Sequence, residues 1–419
     1  MREVRAVQVL TGRVGLGAGT YAQGMATASS ARAKVRSAEE IERRRGDLVD
    51  LSHRVHAEPE LGFCEEKASG WVAEVLRDSG FDGQRGVCDM PTALSATYGN
   101  GTLRLGICAE YDALPDIGHA CGHNVIAAAA VGAGLALAPL AEELDLSLSV
   151  LGTPAEEGGG GKVLMLERGV FDGLDGAMMV HPAPVEVVQM QTLAVAHLAM
   201  RFHGRESHAS MFPEEAVNAG DALTISQVAL GLLRQHLPAG DQVHGIVTHG
   251  GDAPNVIPGE TEGVFLARSP TLARLSALVP RLRNCFEAGA VATGASLEVV
   301  ELSPRYSEFL ADAAMSELYV RNAVSLGRHF PEQTDLRPSG STDMANVSLA
   351  IPAIHPMLGI DAGGAVNHQA AFTAACARPS ADQAVLEGAI AMAWTAIDLA
   401  TDPAQRAGLR TRAEALRAA

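Results

Sequence analysis

Aromatic side chains are scarce, at 4% of the chain, and basic residues are outnumbered: 32 lysines and arginines stand against 49 aspartates and glutamates, a formal net charge of -17. That deficit excludes nucleic-acid binding by phosphate neutralisation, which needs clustered lysine and arginine. An acidic surface serves solubility instead. Cysteines are few, and the six of them, Cys64, Cys88, Cys108, Cys121, Cys285 and Cys376, lack the paired spacing of a small disulfide scaffold. They are expected as reduced thiols in a cytoplasmic protein. Any run of about 18 uncharged apolar residues is also missing, so no membrane span is expected. The nearest stretch, 125–140, is short and rich in small residues, as a buried helix would be. Residues 1–36 hold no compact signal core, since Arg13 and glycines break their apolar stretch. They are expected to form a disordered extension, or to include a start codon placed too early, with Met25 as the real start.

What is present is the mix of a folded chain, 47% hydrophobic and 19% charged. Its 419 residues exceed the ~250–300 at which single cores stop growing, so two globular units are expected. Ser37 and Glu40 have the spacing of a capping box ahead of Ile41, Leu48, Leu51 and Val55, and a second helix spans 67–79, stopped by Gly80. Strand at 103–109, helix at 125–138, strand at 146–151, helix at 162–168 and strand at 177–180 then alternate as in a parallel α/β layer. After His181 the pattern changes. Strands at 193–202, 245–249, 263–267 and 296–302 with helices at 216–234 and 272–288 suit an antiparallel sheet with helices on one face. From about residue 303 the α/β alternation resumes, including an apolar strand at 349–354. The expected architecture is an α/β catalytic domain (37–192 and 303–419), mainly parallel with helices on both faces. It is interrupted by an inserted two-layer α+β lid or dimerisation domain (193–302).

Open α/β sheets bind ligands beyond the carboxyl ends of their strands. Asp112 lies just past the first strand, Cys121 and His123 precede the next helix, Glu156 and Glu157 follow the second strand, and His181 ends the third. A thiolate, imidazoles and a carboxylate form a borderline-soft donor set suited to zinc, with manganese or cobalt tolerated. It is too oxygen-poor for calcium or magnesium. Gly122 gives the Cys-Gly-His turn the freedom to send two side chains to neighbouring cations. In a non-helical Glu156–Glu157 pair, one carboxylate can ligate while the other faces the reacting water. Taken singly, Cys121 reads as an inert small hydrophobe, His123 as a capping or core histidine, and the glutamates as solvated surface. Their joint placement at strand ends, beside an open floor of glycines at 158–161, separates them from those readings.

The strings AEYDALPDIGHACGHN, GTPAEEGGGGKVLMLERGVFD, GRESHASMFP, NVIPG, GSTDMANVSLAIPAIHP and NHQAAF occur in this order between about residues 40 and 400. Together they resemble peptidase family M20, subfamily D, which includes aminoacylase-like enzymes, auxin-conjugate hydrolases, aminobenzoyl-glutamate hydrolases and a β-alanyl-lysine dipeptidase. AEYDALP and GSTDMANVS, with His355 in IPAIHP, look closer to the aminobenzoyl-glutamate and β-alanyl-lysine branch.

The resemblance implies two divalent metal ions, zinc or manganese with cobalt possible, shared by Cys121 and completed by His123, Glu157, His181 and His368. It implies Glu156 as general base and Asp112 as a group that orients a ligand. His208 would polarise the scissile carbonyl, often from across a homodimer formed by the inserted domain. Asn255, Arg268, Ser341 and Thr342 would bind substrate, in a loop that includes Gly340 and Asp343. Taken singly, Arg268 also reads as an ordinary surface ion pair and Asn255 as a turn residue. The implied activity is hydrolysis of the amide bond in an N-acyl amino acid or small dipeptide with a free carboxylate, without nucleic acid or membrane as partner. Two alternatives stay open: a cysteine hydrolase with Cys121 as nucleophile and His123 or His181 as base, and a non-catalytic binding protein that keeps the fold.

Overall fold

The computed structural model describes residues 18–331 and 340–418, with side-chain surroundings described from residue 28. The chain begins with helices α1 (Ala18–Arg43), α2 (Arg45–Ala57) and α3 (Glu66–Asp78), then strands β1 (Asp82–Arg85), β2 (Leu94–Tyr98) and β3 (Leu103–Ala109). Helix α4 (His123–Leu137), β4 (Leu146–Gly152), α5 (Gly161–Glu167), β5 (Gly176–Met178) and β6 (His181–Ala183) follow. The middle of the chain holds β7 (Ala194–His203), β8 (Ser207–His208), α6 (Ala219–Arg234), β9 (Gln242–His249), β10 (Val256–Ile257), β11 (Glu260–Ser269), α7 (Leu272–Thr293) and β12 (Ser296–Glu301). Last come α8 (Ala313–Ser325), α9 (Met344–Ala350), β13 (Ala353–Ile354), β14 (Met357–Gly359), α10 (Ala370–Ala375), α11 (Pro379–Thr401) and α12 (Pro403–Arg417).

The larger sheet has the order β1-β2-β4-β3-β5-β13. Strands β4, β3, β5 and β13 run parallel, and β2 is reversed, pairing antiparallel with β1 and β4. Helices cover both faces of such a sheet, so its strands carry apolar side chains on both sides. In β3, Leu105 and Ile107 enter one core with residues of α2, α4 and α11, while Cys108 enters another with Met165 of α5 and Met344 and Val347 of α9. The fold class is therefore α/β, as the alternation of elements predicts. Helix α4 is buried along its whole length. Its small residues allow close packing: a Cβ on Gly132 would come within 3.0 Å of both Ala389 and Leu48. By length and composition His123–Leu140 and Pro379–Thr401 could each cross a membrane, but 94% and 67% of these windows are buried inside the fold.

The inserted layer is a second sheet, β12-β7-β11-β9, antiparallel throughout. Burial alternates along β7 and β11. The inward residues Leu198, Met200, Phe202 and Phe265 pack on α6 and α7, so one face is covered, the usual arrangement for an antiparallel sheet. Strand β9 lies at its edge.

Three expectations are corrected. Ser37 does not cap a helix; it lies inside α1, with its hydroxyl donating to the Lys34 carbonyl at 2.9 Å, while Glu40 pairs with Arg44 at 3.0 Å. A serine three residues before a glutamate also fits a helix interior, and only the preceding turn distinguishes the two. Residues 18–36 are helical rather than a disordered extension: Ala33 is fully buried, Lys34 pairs with Asp398 at 2.7 Å, and the Trp394 indole donates to the Lys34 carbonyl at 2.9 Å. The expectation for residues 1–17 lies outside the described residues. The apolar run 349–354 is shared between the end of α9 and the two-residue β13, because length alone cannot separate a helix end from a strand.

The contacts of α1 generate a stability prediction. A chain beginning at Ser37 should be less stable than one beginning at Met25, by on the order of 1–3 kcal/mol, because Asp398 loses its cation and α11 its cover. Urea unfolding reads the difference; equal midpoints would show that residues 25–36 add nothing.

Candidate active site

Parallel strands end on one edge, and the chain uses that edge as its sequence suggests. Glu110 and Asp112 follow β3, Glu156 and Glu157 follow β4, and His181 opens β6. Cys121 and His123 flank Gly122, which has φ 73 where α4 begins. A Cβ there would stand 2.4 Å from Pro182 Cγ and 3.0 Å from Cys376 Sγ, so only glycine fits both the conformation and the space. Ala155 also has positive φ, at 57, which costs a non-glycine residue about 1–2 kcal/mol.

Asp112 organises the centre. One of its oxygens accepts from His123 Nδ1 at 3.0 Å and the other from the Glu157 backbone N–H at 3.0 Å. His123 Nε2 thereby faces inward, 3.5 Å from Glu110 and 3.9 Å from both Glu156 and Glu157, and is buried without a hydrogen-bond partner. His181 donates through Nδ1 to the Pro182 carbonyl at 2.9 Å, which leaves Nε2 as its free nitrogen. His368, at φ 68 and largely exposed, brings Nε2 to 3.6 Å from Glu157. Donor atoms lie within 4.8 Å of one another in three groups: Cys121, His123 and His181; Cys121, Glu157 and His368; and Glu110, His123 and Glu156. Cys121 is common to the first two.

Charge is concentrated and buried here. Burial opposes a positive His123, but Asp112, Glu110 and Glu157 outweigh it and hold its pKa well above the ordinary value. Burial, then Glu110 and Glu157, push Glu156 well above the usual carboxylate range. Burial and then Glu157 do the same to the Cys121 thiol. His181 is brought down to about 4 by burial and by His123. Lys162, fully buried, reaches Glu110 at 2.5 Å and Asp343 at 2.7 Å, and its backbone N–H donates to Asp343 at 2.8 Å. One lysine cannot balance this many carboxylates. Inward-facing lone pairs, an unpartnered imidazole nitrogen and mutually repelling carboxylates are the surroundings that divalent cations stabilise, and a thiolate with imidazoles is a donor set for them.

A cavity of about 320 Å³ opens beside these groups, walled on one side by the loops beyond the larger sheet and by β6 and β14, and on the other by β7 and β11 of the inserted sheet. Arg268 of β11 lines it; its guanidinium donates to Ser341 Oγ at 2.9 Å, has no carboxylate partner among the described residues, and so can receive an anion. Ser341 in turn donates to the Leu193 carbonyl at 2.7 Å. Thr342 also lines the cavity. A larger space, about 530 Å³, lies around Arg328, but there the guanidinium is already paired with Glu186 and Glu387, both at 2.7 Å.

Cys121, His123, Asp112, Glu156, Glu157, His181 and His368 are thus brought together, with Arg268, Ser341 and Thr342 across the cavity. His208 and Asn255 are not; they sit exposed on and beside the β8–β10 ribbon, away from the cavity of their own chain. Sequence reasoning missed Glu110, although strand alternation sets it on the same side as Asp112 two residues on. It also missed Lys162, His197 and Tyr306, whose hydroxyl donates to the Glu156 carbonyl at 2.7 Å. His355, singled out only by its motif, is a buried wall of the cavity with neither ring nitrogen partnered.

A parallel sheet with an inserted lid and a thiol, imidazole and carboxylate centre at its strand ends defines a two-domain hydrolase with metal-type donors. The model of peptidase family M20/M25/M40 matches residues 106–385. The chain belongs to this family of hydrolases. It is 35% identical over 395 residues to the Xaa-Arg dipeptidase of Mus musculus, covering 90% of this chain and 91% of that one. Its fold is similar to an aminobenzoyl-glutamate utilization protein from Klebsiella pneumoniae, with TM-score 0.70, 18% identity and coverage of 86% and 97% of the two chains. It is also similar to a dinuclear metal binding peptidase of Bacillus subtilis, with TM-score 0.64, 20% identity and coverage of 85% and 99%.

The buried ion cluster gives a direct test. Lys162→Met leaves Glu110 and Asp343 unbalanced inside the fold and should cost about 3–5 kcal/mol in urea unfolding. A loss below about 1 kcal/mol, the scale of an exposed pair, would mean that these charges are balanced by something else.

Proposed function

We propose that the chain is a metal-dependent amidohydrolase that cleaves the amide bond of an N-acyl amino acid or small dipeptide bearing a free carboxylate. The observation that carries this reading is that Cys121 belongs to two donor groups at once, beside Glu156, in a cavity whose far wall presents Arg268. His123 and His181 would hold one cation with Cys121, and Glu157 and His368 the other. Bound there, zinc or manganese, with cobalt as an alternative, would acidify a water and polarise a carbonyl.

The chain's own residues supply the rest. Arg268, steadied by Ser341, binds the substrate carboxylate, and Thr342 borders the same space. Glu156, its proton affinity raised by burial and by Glu110 and Glu157, takes a proton from the attacking water and passes it to the leaving nitrogen. Asp112 keeps His123 and Glu157 in place for that step. A thiol pushed well above its ordinary pKa is a poor nucleophile, which disfavours the reading of Cys121 as a cysteine nucleophile. The non-catalytic reading is disfavoured by a base beside a full set of donor atoms gathered at one site.

His208 and Asn255 fit the reaction if a second copy brings them to the cavity. The inserted sheet has an edge to receive one: on β9, Ile246 is 67% exposed and Val247 40%, and on α6, Val228 and Leu232 are 60% and 58% exposed. A homodimer through this face, in the cytoplasm, is the assembly that reading requires; the six unpaired thiols suit that compartment.

Glu156→Gln should lower kcat on a panel of N-acetyl amino acids, N-benzoyl amino acids and dipeptides by about 10²–10⁴, with metal content by elemental analysis unchanged. Cys121→Ser should reduce metal content as well, and chelation should abolish activity until zinc or manganese is restored. Full activity after chelation rejects metal dependence. Ile246→Asp should yield a monomer in light scattering and lose most activity, as should His208→Ala in the dimer; a fully active monomer removes His208 from the reaction.

A further inference from the structure

Glu65 stands at the N-cap of α3, a position that short polar side chains ordinarily fill, and its own side chain makes no capping bond. Glu60 does that work instead, accepting from the Lys67 N–H at 2.9 Å and the Ala68 N–H at 3.0 Å. The Glu65 carboxylate is fully buried and crosses to the hydrolytic centre, where it accepts the Ala155 backbone N–H at 2.8 Å. Ala155 is the left-handed residue just before Glu156 and Glu157.

The rest of the 59–65 loop presses on the same two segments. The Ala113 N–H, one residue past Asp112, donates to the Glu60 carbonyl at 2.8 Å, and Leu61 forms a bridge with Ala113. Gly62 lies so close that a Cβ there would sit 2.8 Å from Ala155 Cβ, and the Phe63 ring, on a residue itself at φ 64, fills the space over Gly159. From the other side the Ala155 carbonyl accepts from the N–H groups of Gly159 and Gly160, both at 2.9 Å. The Glu65 and Asp112 carboxylates thus fix the backbone N–H groups on either side of Glu156, those of Ala155 and Glu157.

We infer that Glu65 is a positioning residue: by binding the Ala155 N–H it holds the left-handed turn that sends Glu156 and Glu157 into different donor groups. Its role rests on the metal-dependent reading proposed above. A residue of this kind acts through backbone geometry, so its loss should move both metal affinity and turnover, commonly by 10–100-fold.

The test uses the full chain, stripped of metal and titrated with cobalt(II) by visible absorption, followed by steady-state kinetics on whichever panel substrate the wild type cleaves. E65A should weaken cobalt binding by about 10–100-fold and lower kcat similarly, with KM within about twofold. E65Q, whose amide oxygen still accepts the Ala155 N–H, should stay near wild type. Adding Ala155→Gly to E65A should recover most of the loss, because glycine adopts positive φ without cost. Wild-type cobalt affinity and kcat in E65A, with only a lower melting temperature, would overturn the role; so would an E65A/A155G chain no better than E65A, soluble or not. Hydrogen exchange at the Ala155 amide of the metal-free chain, expected to accelerate in E65A, reads the turn without metal or substrate, and unchanged exchange overturns it. This separates failure of the Glu65 role from failure of the metal reading.

Discussion

Carboxylates gathered in a buried space repel one another, and much of this molecule is arranged around that fact. Glu110, Asp112, Glu156 and Asp343 are all buried, with Glu157 beside them. Lys162 offsets two of them, His123 a third, and backbone N–H groups at Lys162, Ala155 and Glu157 stiffen the rest of the cluster and its neighbours. What remains is excess negative charge converging on a thiol and an imidazole nitrogen without a partner. Folded chains keep such charge out of water only when something of opposite sign sits among it.

The scaffold makes this concentration possible. Parallel strands deliver their carboxyl ends to one edge, so three loops that are distant in sequence meet there without any long excursion. Close packing of small residues in α4 against α11 holds in place the helix that His123 opens. The inserted sheet supplies the opposite wall, and Ser341 touches both Arg268 of that wall and the Leu193 carbonyl where the chain enters it.

Much of this could be read from sequence because its signals are local. The Cys121-Gly122-His123 turn, the glutamate pair and the strands before them are short patterns, and β3 and α4 lie where alternation and small-residue composition set them. Lys162 was not legible: a lone lysine opening an apolar helix looks like a solvated residue, and its partner Asp343 is 181 positions away. The ribbon of β6 and β14 was missed because three-residue strands are too short to show alternation. Glu65 carried no local signal. Its target depends on how the loop between α2 and α3 folds over the sheet edge, which no spacing rule encodes.

Gly122 packs so closely on Pro182 and Cys376 that no side chain could stand between the start of α4, the middle of β6 and the residue after α10. The half of the centre carried by Cys121, His123 and His181 is therefore gathered around one packing point. On the facing wall the Ser341 hydroxyl ties Arg268 to the Leu193 carbonyl, beside the backbone pairing of Val195 with Tyr306 and the Tyr306 hydroxyl on Glu156, so the guanidinium that receives an anion is placed by the same junction that joins the two layers.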